Sequence, residues 1–178
     1  MITATDIKTY CPELPEGIEN DDPIILSCID YVEKTIIEKY LGIDFYKKIK
    51  DYKTTIDADN SATQIQNLND LINGVDYTYS DILYNNPGLI EVFSRFAFAQ
   101  YIYRGGALLE QAGLQEYAGG KTKQASYAIK KDRYNEFHQI AVIQANKLRS
   151  FIMRNDYDEY SLYCPGVPRS RTKIQIIR

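Results

Sequence analysis

The side chains best suited to chemistry are few and scattered. The chain has one histidine, His138, next to Phe137. A histidine acting as a base needs a carboxylate, hydroxyl or thiol held against it, and no local residue supplies one. It reads as a partly buried or surface histidine inside a helix. Gly119-Gly120-Lys121-Thr122 has the outline of a phosphate loop, but that motif needs a glycine five residues before its Gly-Lys pair and a strand leading in. Position 115 is Gln115, and the preceding pattern is helical. The acidic groups Glu19-Asn20-Asp21-Asp22 and Asp57-Ala58-Asp59 lack calcium-loop spacing and its closing glutamate. They read as a helix cap and a solvated loop, and Asp156, Asp158 and Glu159 as a helix end. Cys11, Cys28 and Cys164 are odd in number and widely spaced, which suits neither a disulfide framework nor a zinc site. No catalytic residue, metal or cofactor is expected.

Two basic groups remain. Lys121, Lys123, Lys130, Lys131 and Arg133 cluster with Tyr127 and Tyr134 among them. Cations interleaved with aromatics can follow a phosphate backbone, so these five are candidates for contact with DNA or with another subunit. The opposing reading is a charged helix face, in keeping with a net charge of −3 and a pI near 5.3. The second group is the tail, whose Arg169, Arg171, Lys173, Ile174, Ile176 and Ile177 are candidates for docking on a partner. Ile174 and Ile176 alternate with Lys173 and Gln175, as strand addition requires. The alternatives are that the tail folds back on its own domain or has no fixed structure. Charge is also divided along the chain. Residues 1–90 carry 16 acidic and 7 basic side chains, whereas residues 91–178 carry 8 and 14. A subunit with one acidic and one basic face can dock head-to-tail on its own copy, unless folding mixes the two halves on one surface.

The elements that must position these groups are helical. The 178 residues, 44% hydrophobic and 25% charged, fit one soluble domain. No apolar run approaches the ~20 residues that span a bilayer, and Leu89 to Tyr103 is broken by Glu91, Arg95 and Gln100. The start has no basic, apolar signal pattern, so a reducing compartment is expected. Residues 1–21, with Pro12, Pro15 and Gly17, read as an irregular arm. Asp21 or Asp22 then caps a helix with Pro23 in its first turn. Its stripe is Ile25, Cys28, Ile29, Val32, Ile36 and Tyr40, with Asp30 and Lys34 paired outside. Gly42 ends it, and a short helix follows with Ile43, Tyr46 and Ile49 on one side and Asp44 paired to Lys48 on the other.

Thr54 to Ser61 reads as a loop, Gln64 to Ile72 as a helix stopped by Gly74, and VDYTYSDILYNNPG as an ordered loop with a short extended piece. A nearly all-apolar helix starts near Pro87-Gly88 and must be surrounded by others. Residues 113–123 form a glycine-rich basic connection. The longest helix runs from about Ser126 to Arg154, roughly 40 Å. The expected class is mainly α: a single-domain helical bundle over residues 22–156 with a long C-terminal helix, an N-terminal arm over 1–21 and an extended tail over 157–178.

Three stretches within about residues 20–153 carry a resemblance. They are DDPIILSCIDYVEKTIIEKYLGIDFYKKIKD, NNPGLIEVFSRFAFAQYIYRGG, and GLQEYAGGKTKQASYAIKKDRYNEFHQIAVIQANKLRSFI. In order and spacing the chain resembles the head-to-tail connector, or adaptor, proteins of tailed bacteriophages, especially those of Bacteroides-type and crAss-like phages. The resemblance implies a structural virion protein without cofactor or catalytic residues, forming a homo-oligomeric ring, typically a dodecamer. It implies portal protein on one side, tail or further ring proteins on the other, and DNA passing through the channel without sequence-specific binding. It also implies a place in the virion neck, and in host cytoplasm during assembly. The alternative from the residues alone is a small helical nucleic-acid-binding or regulatory protein.

Overall fold

A computed structural model describes residues 2–14, 17–58, 64–104, 115–118, 121–124, 127–155 and 157–163. The protein is mostly helical. Its centre is the nearly all-apolar helix expected after Pro87, here α6 (Gly88–Arg104), with Leu89, Val92, Phe93, Ala97, Ala99 and Tyr101 fully enclosed. A helix apolar over most of its circumference is stable only inside other elements. Helices α1 (Ala4–Tyr10), α2 (Pro23–Val32) and α5 (Gln66–Asn73) pack on it, and so does the last helix, α7 (Tyr127–Arg154).

The N-terminal stretch expected as an irregular arm is part of this core. Thr3 and Asp6 form a reciprocal capping box: the Thr3 N–H donates to Asp6 Oδ2 at 2.7 Å, and the Asp6 N–H to Thr3 Oγ1 at 3.2 Å. The helix it starts buries Ala4 and Ile7, and Cys11 follows at the cap. Ile2, Leu14 and Ile18 are buried as well. Pro12 and Pro15 lie beyond this short helix and so do not oppose it.

Asp22 caps α2 by accepting from the N–H groups of Ile24 and Ile25 at 2.8 and 3.0 Å. A π turn, Glu33–Ile37, joins α2 to α3 (Glu38–Leu41) without a break. It inserts one residue into the helical period. The buried stripe therefore steps from Val32 to Ile37 and Leu41, leaving the expected Ile36 and Tyr40 only half-buried. The Asp30–Lys34 pair forms at 2.6 Å, well exposed.

Gly42, at φ 87°, separates α3 from α4 (Ile43–Ala58). This helix continues through Thr54–Asp57, which had read as a loop, with Lys53 and Asp57 paired at 3.0 Å. Phe45 joins Tyr46 and Ile49 on the buried side, while Ile43 is exposed. Lys48 donates to the Glu159 carbonyl at 2.8 Å instead of pairing with Asp44. Tyr52 ties α4 to α5: its hydroxyl donates to Asn69 Oδ1 at 2.8 Å and accepts from the Ile65 N–H at 2.9 Å.

The chain past Arg154 also differs from expectation. A 3-10 turn, Asp158–Tyr160, buries Tyr160 against Phe45 and Phe151, and the Tyr160 hydroxyl donates to the Asn67 carbonyl at 2.7 Å. Residues 157–163 thus pack on the helices, and the extended tail expected from 157 does not begin there.

The tyrosine-rich segment is a full antiparallel hairpin, β1 (Val75–Tyr79) and β2 (Ile82–Asn86), paired from Val75↔Asn86 to Tyr79↔Ile82. Ser80 and Asp81 make the two-residue turn, both at positive φ (49° and 63°). The connection expected at 113–123 contains a second small hairpin, β3 (Gln115–Ala118) with β4 (Lys121–Gln124).

Candidate interaction surfaces

The basic cluster falls on two successive elements. Lys121 and Lys123 lie in β4, opposite Ala118 and Glu116 in register. Lys130, Lys131 and Arg133 occupy the start of α7, but Arg133 is paired with Glu136 at 2.9 Å. Lys131 joins a set of aromatics the sequence did not connect. It lines an open groove of about 330 Å³ with Tyr31, Gln100, Tyr103, Tyr134 and Asn135. The Arg104 guanidinium lies 4.3 Å from the centre of the Tyr31 ring, and Tyr103 packs on Tyr134 at 5.4 Å. Gln100 Nε2 donates to the Tyr134 hydroxyl at 3.4 Å. His138 lies behind this groove, its ring 5.4 Å from Phe96 and 5.3 Å from Tyr134. Burial lowers its pKa, so the neutral ring is favoured, as befits a packing residue. Arg169, Arg171, Lys173, Ile174, Ile176 and Ile177, assigned to docking, lie outside the described residues.

A second surface lies between the β1–β2 hairpin and α7. The hairpin's inner face stacks Tyr77 on Tyr84 at 5.7 Å, and Tyr77 meets Phe151 edge-on at 5.0 Å. Arg154 locks this arrangement. Its guanidinium lies 3.9 Å from the Tyr84 ring centre and 5.1 Å from that of Tyr79, and it donates to the Tyr77 hydroxyl at 3.3 Å. Above it opens a cleft of about 270 Å³, bounded by Tyr77, Tyr84 and Asn85 on the hairpin and by Ile143, Lys147 and Arg154 on α7. Towards the hairpin tip, apolar side chains face solvent: Tyr79 is 45%, Ile82 56% and Leu83 70% exposed. Ile143 at 56% and Met153 at 67% extend exposed apolar surface along α7.

These residues escaped the sequence reading because hairpin and helix are far apart in the chain. The alternation in VDYTY was the available signal, but Ser80-Asp81 is a weak turn pair beside Asn-Gly or Asp-Gly.

Cys11 and Cys28 are buried, and burial pushes the Cys11 thiol up to about 12, so it is not a poised nucleophile. Among the described residues no group of three or more His, Cys, Asp or Glu side chains is placed to hold a metal ion. No helix among them is long and apolar enough to cross a membrane.

Residues 37–172 match a family of unknown function, DUF6712. The chain belongs to that family. No curated protein and no solved structure matches it. The matched range takes in the hairpin and all of α7, and so the whole second surface, while Tyr31 of the first groove lies outside it.

Proposed function

We infer that this protein is a structural ring subunit of a phage neck, acting through its surfaces and not as a catalyst. The observation that carries the reading is the exposed apolar surface of the hairpin tip and α7, set on a core closed around α6. Large apolar side chains exposed close together at the hairpin tip, Tyr79, Ile82 and Leu83, are what a surface covered by another protein presents. The resemblance of residues 20–153 to head-to-tail connectors supplies the kind of assembly: a single-domain bundle in twelve copies around a DNA channel, portal on one side and tail or ring proteins on the other. Its place is then the virion neck, reached from host cytoplasm during assembly. The opposite net charges of the two halves of the chain suit a head-to-tail contact between copies.

Light scattering at physiological salt, alone and with the cognate portal protein, tests this. A particle of about twelve times the 20.5 kDa chain in either sample supports it. A monomer in both overturns it.

The first groove favours a second reading, a nucleic-acid-binding protein. Tyr31, Tyr103 and Tyr134 with Arg104 and Lys131 combine rings and cations as single-strand binders do. It predicts salt-sensitive DNA binding by the monomer, weakened when Lys130, Lys131 and Arg133 become Ala. No binding at low salt removes it.

A further inference from the structure

The cleft between the hairpin and α7 has one wall with unmet hydrogen-bonding capacity. In a hairpin closed by a two-residue turn, the closing pair is hydrogen-bonded, and bonded and non-bonded pairs alternate from there. With Tyr79↔Ile82 as the closing pair, Tyr77↔Tyr84 and Val75↔Asn86 are bonded pairs. Leu83 and Asn85 therefore turn their backbone N–H and C=O away from β1, towards the free edge of β2. Both are exposed. The cleft is bounded by Tyr84 and Asn85, neighbours whose side chains lie on opposite faces of the strand. A space touching both faces sits at the strand's edge. The open edge of β2 thus runs along the cleft, with α7 as the far wall.

That far wall has a definite chemistry. Ile143, Asn146, Lys147, Ser150 and Arg154 line it, and among the described residues no acidic one lines the cleft, although Asp76 accepts from Asn85 Nδ2 at 2.8 Å beside it. Lys147 is exposed. Arg154 is fixed by its tyrosines and so is a pre-positioned cation. Ile143 on the helix and Ile82 and Leu83 on the strand add apolar surface nearby.

We propose that this cleft binds an extended segment of a partner protein, added as a third strand on the edge of β2, with acidic side chains towards Lys147 and Arg154 and aliphatic ones between. The backbone edge gives affinity, and the cationic helix wall selects the sign of charge. By the same charge argument the tail sequence has the wrong sign for this wall. Arg169, Arg171, Lys173 and Arg178 make it basic, and a second copy's tail would bring like charge against Lys147 and Arg154. The inference goes beyond the ring reading and does not depend on it, because one monomer holds the complete cleft.

The test is a fluorescence-polarisation titration of the full chain with a short synthetic peptide alternating valine and glutamate. Three controls accompany it: the valine–lysine analogue, the valine–glutamate peptide N-methylated at alternate residues, and a peptide of the tail sequence RTKIQIIR. Saturable binding of the acidic peptide alone is expected, weakened about tenfold or more by Lys147→Glu, a change on an exposed helix position. N-methylation should abolish it by removing backbone donors. Thermal unfolding of Lys147→Glu matching the parent confirms that the variant is folded, and Lys147→Gln, with an intermediate loss, serves if it is not. Equal or tighter binding of either basic peptide overturns the proposal, as does indifference to N-methylation or no binding of the acidic peptide.

Discussion

The two ends of the β1–β2 hairpin obey opposite rules. At its base, backbone meets backbone. Gly74 and Gly88 flank the hairpin at φ 89° and 82°, and a Cβ on Gly88 would stand 2.5 Å from the Gly74 nitrogen. Between them Asn86, 1% exposed, donates from Nδ2 to the Asp70 carbonyl at 2.8 Å and accepts at Oδ1 from the Gly88 N–H at 3.2 Å. At the tip, a few residues away, Tyr79, Ile82 and Leu83 stand in water. One end is built so that nothing can be added. The other presents side chains that the fold itself does not use. A rigid base makes an exposed tip useful, because a surface aimed in one direction loses little entropy when a partner covers it.

The largest expected effect breaks the base. Gly88→Ala places a methyl inside backbone that cannot retreat and imposes a left-handed conformation on a residue with a Cβ. A loss of roughly 3 kcal/mol or more is expected from strain and overlap together, read as a fall in the urea midpoint. A change below about 1 kcal/mol would mean that the base can open. Asn86→Ala comes next. It leaves the buried Gly88 N–H without its partner, while the Asp70 carbonyl keeps the Gly74 N–H at 3.0 Å, for about 2 kcal/mol, with Asn86→Asp retaining only the acceptor.

Arg154→Met probes the middle of the hairpin, keeping the stem and removing the guanidinium from Tyr84 and Tyr77. A small fall in the urea midpoint, less than that of Asn86→Ala, is expected from losing this cation–ring contact. Near-ultraviolet circular dichroism should change with it, because the stacked tyrosines lose their clamp. An unchanged tyrosine signal would mean that Phe151 alone positions Tyr77.

How far the sequence foretold this contrast depends on range. The start of α6 after Pro87 and the extent of α7 follow from turn residues and near-helical repeats, and they appear at Gly88 and at Tyr127–Arg154. The stripe of α2 holds as far as Val32. The five-residue step to Ile37 lies outside any 3.6-residue rule, because a π turn is stabilised by packing and not by a sequence period. The first helix did have a legible mark, the Thr3–Asp6 box with Ala4, Ile7 and Cys11 at helical spacing, overridden by prolines that follow it. The cleft had none. Arg154 in the sequence only ends a helix, and its meeting with Tyr77, Tyr79 and Tyr84 is made by the base geometry of Gly74, Asn86 and Gly88. Long-range placement of that kind leaves no local pattern to read.

The smallest expected change in stability is also the one that separates structure from use. Leu83→Ser replaces a side chain that is 70% exposed, so folding loses little apolar burial, and the unfolding free energy should move by less than about 0.5 kcal/mol. Ile82→Ser, at 56% exposure, should behave in the same way. If the tip serves only to complete the hairpin, both variants are silent in every assay. If it is a partner surface, the association seen by light scattering should fall in the double variant while its urea midpoint stays in place. A drop in stability comparable to that of Asn86→Ala would instead make the tip part of the fold, and the distinction between base and tip would collapse.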